Sequence, residues 1–221
     1  MPRQFVLGVD LDNVCADYTT AFRQVVANDR GVDPGSLTLI RSWGFEEWGL
    51  SDADYDRLHR LAVNERRILR HLDPSPGCAD ALWRLSDAGV WIRIITHRLY
   101  VNWGHAAAVS DTVEWLDEAA IPYRDLCFLG DKPEVGADLY IDDAPHNIEA
   151  LRAAGNEVIV FDQPYNRDLP GPRATGWDEV EQIVLDAASA RGWIQPQLPG
   201  IDAGADRLRR RRHPEPGPAP S

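Results

Sequence analysis

Short apolar runs that end in polar or acidic residues are the feature that most narrows what this chain can fold into. They occupy residues 5–9, 91–95, 126–129, 139–141 and 158–161, and the first and fourth run directly into "DLD" and "DD". Such brief, β-branched stretches bounded by turn residues predict strands. Between and after them lie segments with helical spacing, at 16–28, 78–88, 105–119, 147–154 and 178–190. Strands alternating with helices imply an α/β fold, a parallel five-stranded sheet flanked by helices. Residues 30–75 break the alternation and are too long for a connecting loop in a compact domain. They hold Trp43, Phe45, Trp48 and Tyr55 with a charged helix expected from Asp52 to His71, and read as a small helical cap inserted after the first strand and helix. The expected division is a core of residues 1–29 and 76–194, a cap of 30–75, and a Pro/Gly/Arg-rich tail of 195–221. That tail has too little apolar surface to order itself.

Composition removes several classes of function. With 221 residues, 44% of them hydrophobic, the chain can bury one main core. A net charge of -12 and a pI near 4.9 argue against a nucleic-acid surface, because wrapping a polyanion needs clustered Lys and Arg. The short arginine run at 209–212 reads as solvated. No apolar run approaches a membrane span, and the N-terminus does not resemble a secretory leader, so a cytoplasmic protein is expected. Cys15, Cys78 and Cys127 are odd in number and widely spaced, which predicts reduced, buried thiols. A monomer and a homodimer are both open.

In an open parallel sheet the ligand lies beyond the carboxyl ends of the strands. There the sequence places Asp10 and Asp12, Thr96, Asp131 and Lys132, and Asp142 and Asp143. Two unit charges about 4 Å apart interact by about 4 kcal/mol at an effective dielectric of 20, so these carboxylates must either take up protons or hold a cation. An oxygen-rich donor set with few nitrogen or sulfur ligands points to Mg²⁺, and the six histidines show no paired spacing that would favour zinc. Thr96 and Lys132 supply a hydroxyl and a positive charge for a phosphate, and Arg98 is near enough in sequence to reach a phosphate oxygen. Together these residues describe a phosphoryl-transfer site.

The motifs "DLDNV", "IITHR", "GDK" and "IDD", in that order and at those strand ends, resemble the haloacid dehalogenase (HAD) superfamily of phosphohydrolases. More narrowly, the cap placed after the first motif, the block "GDKPEVGADLYIDD" and the run "FDQPYNRDL" resemble the 5'(3')-deoxyribonucleotidase family of cytosolic type C, over roughly residues 5 to 190. The resemblance implies a Rossmann-like, HAD-like core and a Mg²⁺-dependent phosphomonoesterase acting on nucleoside monophosphates, most of all deoxyribonucleotides. It implies Asp10 as the nucleophile that takes the phosphoryl group, and Asp12 as the general acid and base. Thr96, Lys132 and Arg98 would bind the phosphate. Asp10, Asp142 and the main-chain carbonyl of Asp12 would hold the metal, with Asp143 orienting a metal-bound water. In "DLDNV" an asparagine, Asn13, stands where the family often has glycine, a change that suits a left-handed turn because Asn tolerates that conformation.

The cap aromatics Trp43, Phe45 and Trp48 offer rings on which a base can stack, and equally the core of a small cap. Two rival readings remain at this level: a phosphatase for another small ester such as a sugar phosphate, and a non-catalytic nucleotide-binding protein. The adjacent Asp10 and Asp12 weigh against the second, since a pocket kept only for binding needs no nucleophile with an acid beside it.

Overall fold

A computed structural model describes residues 4–99 and 103–193 of the chain. Strand β1 (Val6–Val9) lies between β2 (Trp91–Thr96) and β4 (Leu139–Asp142). Beyond β2 is β3 (Asp125–Phe128), and beyond β4 are β5 (Val158–Phe161) and β6 (Arg173–Ala174). All pairings are parallel, and the order is β3-β2-β1-β4-β5-β6. The sheet thus has six strands where five were expected. The sixth is two residues long and carries no apolar run, so nothing in its sequence announces it.

The chain leaves β1 toward one side of the sheet and returns to β1's other side at β4, which places the switch in strand order between these two strands. In doubly wound sheets that crevice is where ligands bind. Register there is tight: Val9 pairs with both Ile94 and Ile141, and Leu7 with Leu139. Gly8 is required by close approach, because a Cβ at this position would stand 2.8 Å from Ile95 Cδ1 and 2.9 Å from Tyr140 Cδ1.

Helices α1 (Tyr18–Arg30), α2 (Asp52–Arg60), α3 (Cys78–Asp87), α4 (His105–Glu118), α5 (Pro145–Ala153) and α6 (Trp177–Ala190) complete the fold. The first starts later than its periodicity predicts because residues 11–16 form a turn in which Leu11 O accepts from Cys15 N and Ala16 N. Asp17 then caps the helix through Thr20 N, and Gly31 ends it in the left-handed region. Cys15 and Cys78 are buried and Cys127 is only partly so, where all three were expected to be buried; all three are free thiols. No helix among the described residues is long and apolar enough to cross a membrane. The expected tail, 195–221, lies outside the described residues.

The segment between α1 and α3 differs from the single long helix expected over 52–71. A capping box of Ser51 and Asp54 starts α2, but the helix gives way after Arg60 to a π turn over Leu61–Glu65 and then a 3₁₀ turn over Ile68–Arg70. Between the two turns Arg67 is left-handed, with φ of 51°. This break lets its guanidinium reach buried Asp111 of α4 at 2.5 and 2.7 Å, a tie a continuous helix has no reason to make. Trp115 of α4 donates to Leu72 O at 2.8 Å, tying the same face again.

The aromatics of this segment pack onto α1. Phe22 lies 5.4 Å from Phe45, 6.3 Å from Trp48 and 5.5 Å from Tyr55, ring centre to ring centre. Trp48 is 2% exposed and donates its indole N–H to Thr38 O at 2.7 Å, whereas Trp43 is 44% exposed. Replacing Trp48 with Ala is therefore expected to destabilise the fold by about 4 kcal/mol. The same change at Trp43 should cost well under about 1 kcal/mol. Urea denaturation of the two variants measures this, and equal losses would contradict the packing described.

Candidate active site

The site is assembled from the residues that follow β1, β2, β3 and β4. Asp10 leaves β1 with its N–H donated to Ile141 O of β4 at 3.1 Å, so the ends of the two central strands are laced together. The next turn is fixed by Asn13, left-handed at φ 58°, whose side-chain oxygen accepts from Thr19 N and Thr19 Oγ1 at 3.0 and 2.8 Å. The tolerance expected of an asparagine there is used.

Lys132 stands at the centre, 3% exposed, with its Nζ 2.5 Å from Asp10 Oδ1 and 2.7 Å from Asp142 Oδ2. Although it follows a loop after β3, Lys132 is thus a buried side chain and not a solvated one. Asp142 is further held by Ala144 N at 2.9 Å and by Asn147 Nδ2 at 3.3 and 3.4 Å, both from the start of α5. Asp143 accepts a short hydrogen bond from the Tyr165 hydroxyl. Asp10, Asp142 and Asp143 each bring a carboxylate oxygen within 4.8 Å of the others.

Electrostatics follow from burial. Desolvation pushes Asp10 up to about 7, against the pull of Lys132 and with added push from Asp142 and Asp12. Burial, then Asp10 and Asp142, raise Asp143 well above the usual carboxylate range. Burial works against the Lys132 ammonium, but Asp10 and Asp142 outweigh it and hold the lysine protonated. Burial also draws His97 down to about 4, helped by Lys132, and lowers His146. The carboxylates therefore outnumber the cations that reach them. A divalent, oxygen-seeking cation fits this donor set, because it relieves the crowding that otherwise forces protons onto buried carboxylates.

Asp12 points elsewhere. Its carboxylate, 31% exposed, is gripped by Arg98 at 2.7 and 3.2 Å, and Arg98 also donates to Thr112 Oγ1 at 2.9 Å. The structure thus places Arg98 on Asp12, with its main-chain N–H on Thr96 Oγ1 at 3.3 Å. Thr96 is 1% exposed, at the end of β2. Asp143, expected outside the ligand set, has its carboxylate in the cluster, and the Asp12 carboxylate does not.

Above these groups opens a cleft of about 400 Å³ whose floor includes Asp10, Asp12 and Asp143. Of the three aromatics singled out in the sequence, Trp43 and Phe45 line it and Trp48 does not, since its ring is packed against Phe22 of α1 and Phe45. Tyr55, the fourth aromatic of that segment, lines it as well, whereas Arg41, His59 and His146, which also line it, had no sequence signal of their own. Arg41 is 4% exposed and stacked between the rings of Phe45 and Tyr165, at 3.9 and 4.4 Å. Its Nη2 donates to Thr19 Oγ1 at 2.9 Å, which ties the cleft wall to the first turn of α1 and, through the Thr19 hydroxyl, to Asn13.

The family described as 5' nucleotidase, deoxy (pyrimidine), cytosolic type C protein matches residues 4–190. A putative 5'(3')-deoxyribonucleotidase of Chlorobaculum tepidum is 44% identical over 182 residues, covering 81% of this chain and 89% of that protein. A 5'(3')-deoxyribonucleotidase of Bacillus subtilis is 33% identical over 84 residues, 37% of this chain and 47% of that one. Among solved structures, a haloacid dehalogenase-like hydrolase of Streptococcus pneumoniae aligns with a TM-score of 0.57 at 12% identity, covering 83% of this chain and 99% of the other. A haloacid dehalogenase-like protein of Agrobacterium tumefaciens gives 0.54 at 15% identity, covering 84% and 100%. At such identities the likeness shows the fold, a HAD-like α/β fold.

Proposed function

The chain belongs to the 5' nucleotidase, deoxy (pyrimidine), cytosolic type C family and is a phosphoric monoester hydrolase; from that premise we propose that it hydrolyses deoxyribonucleoside monophosphates with Mg²⁺, through an aspartyl-phosphate on Asp10. The observation that carries this reading is the buried bridge of Lys132 between Asp10 and Asp142, with Asp143 beside them and the cleft above. A cytoplasmic location accords with the family's description.

The ion would be held by Asp10, Asp142, the main-chain carbonyl of Asp12 and, on the geometry here, Asp143. When bound it supplies positive charge that offsets the negative charge of the phosphate. The remaining steps belong to the protein. Lys132 keeps one Asp10 oxygen fixed, and with Thr96 stands ready to receive phosphoryl oxygens. The other Asp10 oxygen attacks phosphorus as the bond from phosphorus to the ester oxygen breaks. Asp12 acts as the general acid, passing a proton to that departing oxygen. Water then attacks the aspartyl-phosphate and loses a proton to Asp12, which releases phosphate and restores Asp10. Arg98 serves as the positioning residue for Asp12, because its guanidinium is already engaged by that carboxylate and by Thr112.

Phosphate release from the deoxy- and ribonucleoside monophosphates, glucose 6-phosphate and p-nitrophenyl phosphate, in Mg²⁺ and in EDTA, tests the proposal. Deoxyribonucleotides should exceed the sugar phosphate in kcat/KM, and EDTA should abolish turnover. Faster hydrolysis of the sugar phosphate would remove the nucleotide assignment, and full activity in EDTA would remove the metal. Trp43→Ala should lower nucleotide kcat/KM about tenfold, through loss of about 1.4 kcal/mol of base stacking, and leave the aryl phosphate unaffected.

A further inference from the structure

The turn Gln163–Asn166, which follows β5, touches both motif loops that build the site. Gln163 Nε2 donates to Asn13 O at 2.8 Å, and Asn166 Nδ2 donates to Asp143 O at 2.8 Å and to Phe161 O at 2.8 Å. Asn166 is itself locked, its side-chain oxygen accepting from Gln163 N at 3.1 Å and from Arg173 Nη1 at 2.8 Å. Between these two residues stands Tyr165, whose hydroxyl donates to Asp143 Oδ2. Its ring is fixed from the cap side, with the Arg41 guanidinium 4.4 Å above it and the Trp43 ring 5.3 Å from it.

A phenylalanine would make the same ring contacts. The hydroxyl adds one interaction, and its acceptor is one of the three clustered carboxylates. The hydrogen bond uses one acceptor site of Oδ2 and fixes the plane of the carboxylate. Groups that orient ligating carboxylates in this way govern metal affinity.

We propose that Tyr165 is a positioning residue for the cation site, acting through Asp143. This rests on the reading above that Asp10, Asp142 and Asp143 bind Mg²⁺. The turn at 163–166 is then part of the metal site although it supplies no ligand to it, and it sets Asp143 and the Asn13 loop at a fixed separation.

The test is calorimetric titration of the EDTA-stripped, dialysed full chain with MgCl₂, for the wild type, Tyr165→Phe, Asp143→Asn and the double variant. Melting temperatures are taken in EDTA. Tyr165→Phe should melt close to the wild type in EDTA yet bind Mg²⁺ about tenfold or more weakly. In the Asp143→Asn background the same change should have no further effect on affinity, which a merely structural tyrosine would not produce. Wild-type affinity in Tyr165→Phe would overturn the proposal, as would an additional loss in the double variant. Failure of Tyr165→Phe to fold in EDTA would overturn it too, since the hydroxyl would then serve the fold. A wild type that takes up no Mg²⁺ would instead overturn the cation reading, and this proposal with it.

Discussion

Lys132→Ala is expected to lose about 10²–10³-fold in kcat/KM and, in metal-free protein, about 3 kcal/mol of folding stability. Both effects follow from where the ammonium sits. Its Nζ bridges Asp10 and Asp142, and neither carboxylate has another cation at comparable range among the described ion pairs. Removing it leaves two buried acids facing each other, which must repel or take up protons. A protonated Asp10 is a poor nucleophile, so the change damages the chemistry even before phosphate binding is considered. Mg²⁺ should restore part of the stability, because the ion replaces some of the missing charge, but not the rate. Lys132→Arg should not rescue, since a planar, wider guanidinium does not fit a hole shaped for an ammonium. Urea denaturation with and without Mg²⁺, beside steady-state kinetics, checks this. A variant with wild-type stability and near-normal turnover would show that the bridge matters to neither.

What the sequence revealed and what it concealed divide along a physical line. Asp10, Asp142 and Asp143 were legible because a strand ends at a known place, and parallel strands end on the same side. Asn13 was legible because a left-handed turn restricts residue type locally. The depth of Lys132 was not, since a lysine after "GD" looks the same on a rim as beneath it until β4 closes over it. The cap aromatics show the same limit. Trp43 and Trp48 lie five positions apart in one stretch, yet one lines the cleft and the other packs on Phe22, a difference set by the turns between them. Helical periodicity over 52–71 carried no warning of the π turn, because the reason for the break is Asp111 on another helix. Arg98 on Asp12, Tyr165 on Asp143 and Arg41 on Thr19 are likewise contacts between distant segments, invisible to any reading of local pattern.

Mg²⁺ should raise the melting temperature strongly at pH 7.5 and far less at pH 5.5. In metal-free protein burial lifts Asp10 from 3.8 to about 7, and lifts Asp143 in the same direction, so the fold retains protons that the unfolded chain has released. That contribution to stability is fully present below about pH 3.8 and is lost as pH rises through about 7. The histidines act in the opposite sense. Burial lowers His59 and His146 below 6.5 and takes His97 to about 4, so the unfolded chain takes up protons the fold refuses, and stability falls as pH drops below 6.5. In metal-free protein the two trends offset each other between about pH 4 and pH 6.5. Cation binding must displace the protons that burial holds on Asp10 and Asp143, so apparent affinity should strengthen as pH rises through about 7. At a Mg²⁺ concentration 100 times the dissociation constant the ion adds about 2.7 kcal/mol, or about 5–10 °C for a chain of this size. With Mg²⁺ bound, the histidine trend alone should remain, and stability should rise from pH 5 to pH 7. Thermal melts across pH 5–8, with Mg²⁺ and with EDTA, measure the difference directly. An equal shift at pH 5.5 and 7.5 would mean that the ion displaces no proton, and the clustered carboxylates would then not be its ligands.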